Sequence, residues 1–244
     1  MSVNTEKCIA QETMEGDGVI VKRLMPVAGL RNFDPFVLWD HFNISPGNGF
    51  PDHPHRGFEA ITYMFSGSMQ HTDNLGNQST VTAGGAQRFT AGSGIVHSEM
   101  PGDSGKNEGI QLWINLPIAL KNIPAAYQQV NTDDIPVQVS EGVTVRTIVG
   151  ENSPVLLKTP VRYQDIELDE NVNYTDQVAE GFRGFIFVVT GKAVLNGQEI
   201  NEGEAVFVEA PCSIDLQAVE ASRFMLCLGK PHNEPIHQHG PYVD

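Results

Sequence analysis

GFIFVVTGKAVLNGQEINEGEAVFVEA, residues 184–210, decides the fold class. Runs of Val, Ile and Phe, which suit the pleated strand, are cut at short intervals by Thr-Gly (190–191), Asn-Gly (196–197) and Glu-Gly (202–203). Asn-Gly takes up the positive φ angles of a tight hairpin turn. The segment therefore reads as four short strands joined by three turns. The first half repeats the punctuation: a strand ends at FSG (65–67), SMQHTDNLGNQ supplies a polar strand and a Leu-Gly turn, and GGAQRFTAGSGIVHS climbs back. Two copies of one pattern predict a tandem repeat of a small β-barrel. The boundary is expected near Thr132 to Gly142, in the polar, proline-bearing NTDDIPVQVSEG, which gives domains of 1–135 and 136–244.

Further runs of strand type occur at GVIVKRL (18–24), EAITYMF (59–65), GIQLWINL (109–116), VTVRTIVG (143–150) and FMLCLG (224–229). Such spacing argues for an all-β sandwich or barrel. Helical periodicity is weak throughout, and the best helical candidate, Lys121 to Tyr127, is short. With 244 residues, 40% of them hydrophobic, the chain can build a sizeable core. No apolar run approaches the roughly 20 residues of a membrane-spanning helix, and the polar, acidic start lacks the features of a signal peptide. A cytoplasmic monomer without membrane contact is the default expectation.

Charge narrows the partners. Thirty acidic against fifteen basic residues give a net charge of −15. Such a surface repels phosphates, and no basic cluster with interleaved aromatics reverses this locally, so direct nucleic-acid binding is excluded as a reading. Cys8, Cys212 and Cys227 are odd in number and lack zinc or redox spacing. They are expected as reduced thiols, the last two as small buried hydrophobes in strands.

The chemistry concentrates in FPDHPHRGFEAITYMFSGSMQH (50–71), where His53 and His55 lie two residues apart. In a strand, side chains at i and i+2 share a face. SGIVHSEMP offers a second such pair, His97 and Glu99. Two pairs from neighbouring strands could meet as three imidazoles and one carboxylate. That set suits a divalent transition metal such as Fe, Mn, Co, Ni, Cu or Zn and is too nitrogen-rich for Mg or Ca. Open coordination positions would imply catalysis. His237 and His239 have the same spacing but sit in a Pro-rich tail, and are read as surface histidines on a mobile terminus. His41 and His71 are read as hydrogen-bonded structural histidines, and Trp39, Phe42 and Trp113 as core. Arg56 is either a pocket cation or a partner for Asp52, and Gly57 permits a bend.

FDPFVLWDHF (33–42), FPDHPHRGFEAITYMFSGSMQHTDNLGN (50–77), FTAGSGIVHSEMP (89–101) and GIQLWINLP (109–117) together resemble the pirin family. The tail EPIHQHGPYV is also similar to the pirin C-terminus. The resemblance implies a bicupin, two tandem cupin β-barrels of jelly-roll type. It implies an iron-type metal, Fe(2+) first, held by the positions that are here His53, His55, His97 and Glu99, and a second barrel that has lost its metal. Glu59 falls where the general cupin pattern H-x-H-x-x-x-E places its carboxylate, so it remains the alternative ligand or an outer hydrogen-bond acceptor. Similarity to bacterial pirin-like quercetinases implies cleavage of a flavonol such as quercetin by O2 with release of CO, Glu99 acting as base and Glu59 in reserve. The other readings are an iron redox-responsive regulatory protein that acts through protein partners, as expected of eukaryotic pirins, and a purely structural metal site.

Overall fold

The computed structural model describes residues 7–103 and 105–244, and almost all of their regular structure is antiparallel strand. The chain forms two compact units. One comprises Gln11–Ile135, Leu157–Thr159 and His232–Asp244; the other comprises the described residues up to Ala10, Pro136–Leu156 and Pro160–Pro231. These units depart from the expected halves, 1–135 and 136–244, at the N-terminal strand, at Leu157–Thr159 and at the C-terminal tail. Lys7–Ile9 pairs with Glu204–Glu209 as an edge strand of the second barrel, and the C-terminal tail belongs to the first. Both segments find backbone partners there, which satisfies groups that an open sheet edge would leave bare.

Each unit carries a seven-stranded and a four-stranded sheet. In the first unit the large sheet runs Ala126–Val130, Ala86–Thr90, Phe58–Ser66, Asn107–Asn115, Phe36–Ile44, Val19–Met25, Gln11–Glu15. The small sheet runs Phe50–His55, Ile95–Pro101, Ser68–Asp73, Gln78–Thr82. The second unit repeats this order, its small sheet being Asn173–Val178, Cys212–Ala218, Lys192–Leu195 and Gln198–Asn201. The turn that decided the sequence reading has φ of 48° at Asn196 and 83° at Gly197, the left-handed pair that a two-residue hairpin needs.

The interiors differ in a way that locates the chemistry. The second barrel is packed shut by Val178, Ile186, Ile214, Leu216, Phe224 and Leu226, all buried. At the register positions that hold His55 and His97 in the first barrel, the second has Val178 and Ile214. The first barrel has a core of Val37, Phe58, Ala60, Phe89 and Trp113 that stops short of filling it. Cys212 and Cys227 are buried in strands of the second barrel. The expected helix at 121–127 does not form: a single 3-10 turn covers Ile118–Leu120, and Ala126–Val130 extends to pair with Ala86–Thr90. Tyr127 alternates with Ala126 and Gln128 across that strand, and pairing with the sheet overrides weak local helix preference. Among the described residues no helix is long and apolar enough to cross a membrane.

Candidate metal centre

Strand Ile95–Pro101 lies between Phe50–His55 and Ser68–Asp73. The register sets His97 opposite His53 on one side and Asp73 on the other, while Glu99 faces Phe50 and His71. Directly opposed residues on one face have Cβ atoms about 5 Å apart, so His53 and His97 are brought together by pairing alone. His55 joins them by the i, i+2 rule. The donor atoms of the three histidines lie within 4.8 Å of one another. His55 and His97 are buried and His53 is partly open.

The hydrogen-bond partners assign the tautomers. His53 Nδ1 lies 2.8 Å from the carbonyl oxygen of Pro51, and His55 Nδ1 lies 3.3 Å from that of Pro241. A carbonyl only accepts, so both Nδ1 atoms carry the proton and both Nε2 atoms keep a lone pair. Behind His97 stands His71, whose Nε2 meets Asp73 Oδ2 at 2.9 Å and whose Nδ1 meets His97 Nδ1 at 3.5 Å. With its Nε2–H donated to the carboxylate, His71 accepts at Nδ1, and His97 Nε2 is left bare as well. Asp73 is itself fixed by Leu75 N–H and by the backbone and side-chain N–H groups of Asn77. Three imidazoles thus present unprotonated Nε2 atoms to one point, each backed by an outer acceptor, as metal-ligating histidines commonly are.

His53 Nε2 and His97 Nε2 are 3.1 Å apart. Two nitrogens each about 2.1 Å from one ion at a right angle would stand about 3.0 Å apart. The site therefore fits a divalent transition metal, by tautomer and by spacing. Burial, then the neighbouring His97 and His53, hold His55 down to about 3; burial, then His53 and His71, hold His97 down to about 2. Both stay neutral, the form that ligates, far below neutral pH. The rings are packed in place: His55 stacks on Phe89 at 5.5 Å and 9° and meets Trp113 edge-on at 4.8 Å.

The structure does not bring the fourth expected ligand into this cluster. Glu99 is buried, and its oxygens accept from Thr62 Oγ1 at 2.7 Å, Gln87 Nε2 at 2.5 Å and Gln111 Nε2 at 2.6 Å. Its place beside His97 follows from the sequence spacing, whereas its donors come from three other strands. Glu59 is not brought to the histidines either. It sits on the face of its strand opposite Thr62, accepting from Thr90 Oγ1 and Lys158 N–H, each at 2.7 Å. Burial pushes its carboxyl up against those hydrogen bonds. It holds the 157–159 segment, away from the histidines for which the sequence offered it as alternative ligand or outer acceptor.

His41 pairs with Glu108 at 2.9 Å, away from the cluster. Arg56 pairs with Asp244 and not with Asp52. His237 and His239 are exposed, but the tail that bears them is docked, contrary to the expected mobile terminus: His237 and Asp244 exchange backbone hydrogen bonds and Val243 N–H donates to Arg56 O. Sequence reasoning missed Gln87, Thr62 and the orienting role of His71 and Asp73. The available signal was polar residues at inward positions of otherwise apolar strands, and a second i, i+2 polar pair, His71 with Asp73.

His53 and His55 line a cavity of about 690 Å³ together with Leu38, Phe42, Phe50, Asp52, Gln111, Trp113 and the tail residues Gln238 and Pro241; His97 is buried and is not part of its wall. That volume suits a small organic molecule. Its rim carries Arg23, gripped by Asp40 at 2.8 and 2.6 Å and by Glu15 at 2.7 Å. Burial works to lower the Arg23 guanidinium, but the Asp40 and Glu15 carboxylates more than offset it and hold it above the usual arginine range.

Comparison with known proteins agrees with this architecture. The Pirin family profile matches residues 18–114, and that of the Pirin C-terminal cupin domain matches 163–244. A pirin-like protein of Solanum lycopersicum is 39% identical over 98% of this chain and 85% of its own length. Pirin of Mus musculus is 36% identical over 98% and 86%. A crystal structure described as quercetin 2,3-dioxygenase from Acinetobacter baumannii superposes with a TM-score of 0.92 at 30% identity, covering 100% of this chain and 92% of that one. A bacterial pirin from Escherichia coli, solved in complex with nickel(II), shares the fold with a TM-score of 0.77 at 22% identity over 93% and 98%. With both cupin halves matched and full-length relatives of this similarity, the chain belongs to the pirin family.

Proposed function

We propose that the protein is a metal-dependent dioxygenase that cleaves a flavonol such as quercetin, consuming one O2 and releasing one CO. The observation that carries this reading is the cluster of three histidines with bare Nε2 atoms, two of which, His53 and His55, line a cavity that also bears Leu38, Phe42, Phe50 and Trp113. The full-length similarity to a protein described as quercetin 2,3-dioxygenase supports it. His53, His55 and His97 hold the ion, Fe(2+) being the first candidate, and Glu99 joins them as fourth donor or takes the proton of the flavonol 3-hydroxyl. When bound, the metal supplies Lewis acidity toward that hydroxyl and electron exchange with O2. Gln111 lines the cavity and donates to Glu99, so the carboxylate accepts a proton from the cavity side by releasing that hydrogen bond. Leu38, Phe42 and Trp113 exclude water from the ring that opens.

The test begins with the metal-free protein reloaded with Fe(2+) in the absence of air. Bound metal is counted, and the flavonol absorbance band is followed on admission of O2. Loss of metal in His53→Ala and His55→Ala, with loss of turnover in Glu99→Ala, is expected. Full metal occupancy without turnover of any flavonol would move the assignment to a metal-holding regulatory protein.

A further inference from the structure

One of the three imidazoles at the metal centre is oriented by a residue 186 positions away in sequence. The acceptor of His55 Nδ1–H is the carbonyl of Pro241, in the tail that the sequence suggested was mobile. His53, by contrast, is oriented locally, by Pro51, two residues away in its own strand.

The tail is held against the first barrel by contacts that concentrate beside the H-x-H segment. Val243 is fully buried in the cluster of Phe58, Ala60, Phe89 and Trp113, of which the three aromatic rings also pack against His55. Its N–H donates to Arg56 O at 3.0 Å. Its carbonyl accepts from Lys121 Nζ at 2.8 Å, and the same ammonium also donates to Gly57 O at 3.0 Å and Asn115 Oδ1 at 2.7 Å. Burial pushes Lys121 down to about 8, against the pull of the Asp244 and Glu234 carboxylates, which raise it. Arg56 forms two hydrogen bonds with Asp244, at 3.0 and 2.9 Å, and lies 4.7 Å from the centre of the Tyr242 ring. At Gly57 a Cβ would stand 1.8 Å from the carbonyl oxygen of Val243, and φ there is 85°, so the residue after His55-Arg56 is one that only glycine fills while the tail is seated. Gln238, Gly240 and Pro241 form cavity wall.

We propose that the tail, residues 238–243, is a positioning element of the metal centre: seated by Val243, it presents the Pro241 carbonyl that fixes the His55 tautomer with Nε2 bare, and closes one wall over the ion. This deepens the dioxygenase reading and rests on its metal site, though not on its substrate. Without the acceptor, the Nδ1 and Nε2 protonated forms of His55 compete, and ligation must first select the right one.

The test compares the wild-type chain with a chain ended at Gly240 and with Val243→Asp, each shown to be folded by far-UV circular dichroism. The first readout is the 15N and 1H correlation pattern of the His55 ring in metal-free protein. Protonation at Nδ1 in the wild type and a shift toward Nε2–H in the variants are expected. The second readout is the Co(2+) dissociation constant by chelator competition, expected to rise 10–100-fold in both variants, the range typical of losing an outer acceptor. An Nε2–H tautomer in the intact wild type overturns the proposal without any variant. So does Co(2+) affinity within twofold of wild type in the truncated chain. A wild type that binds no Co(2+) at all refutes the metal-site reading itself, while the ring spectra still report on the tail.

Discussion

Lowering the pH of the metal-free protein should expose the cost of keeping its ligand histidines neutral. His55 and His97 are held down to about 3 and about 2, chiefly by burial, against 6.5 in an unfolded chain. As the pH falls below 6.5 the unfolded chain takes up these protons and the native one does not, so native stability is full above 6.5 and declines below it. The slope approaches 1.36 kcal/mol per pH unit for each group. The 1.5 units between 6.5 and 5 then amount to about 2 kcal/mol per histidine, and pH 5 still lies above both folded values. Urea unfolding of chelator-treated protein at pH 7 and pH 5 measures the drop. In His55→Gln or His97→Gln it should shrink by about 2 kcal/mol, because glutamine does not titrate and the other groups cancel in the difference. An identical drop in the wild type and both variants would refute the burial argument.

Three other outcomes separate the roles of the remaining residues. His71→Phe keeps the ring that stacks on Tyr127 at 4.1 Å but removes the acceptor for His97; metal titration should show affinity 10–100-fold weaker with the fold intact. Glu59→Ala leaves the Lys158 N–H and the Thr90 hydroxyl without their acceptor and should cost about 1–3 kcal/mol in chemical denaturation, with metal stoichiometry unchanged. Phe224→Ala, in the packed interior of the second barrel, should destabilise by about 3–5 kcal/mol by calorimetry and leave the ligand set of the first barrel in place.

The barrels were legible because alternation and turn chemistry are local: Asn196-Gly197 writes its hairpin in two residues. His53, His55 and His97 were legible for the same reason, since the pleat repeats every two residues and pairing did the rest. What the sequence concealed is non-local. The donors to Glu99 come from Thr62, Gln87 and Gln111, each unremarkable in its own strand. Glu59 misled because H-x-H-x-x-x-E fixes spacing but not the face: after the bend at Gly57, Glu59 falls opposite Thr62 and points to the linker segment. The tail misled because its anchors, Val243 in the core and the carbonyls beside it, cannot be inferred from a proline-rich composition.

The exchange of segments between the barrels also orders events during synthesis. A nascent polypeptide that has reached Ile135 already contains every candidate ligand, yet Pro241 lies roughly one hundred residues further on. At ribosomal speed that is a delay of about 5–20 seconds. An early ion would meet a half-oriented His55 in an unwalled trough, so metallation should trail translation, and a ribosome-stalled intermediate ending at Ile135 should release its ion readily to a chelator.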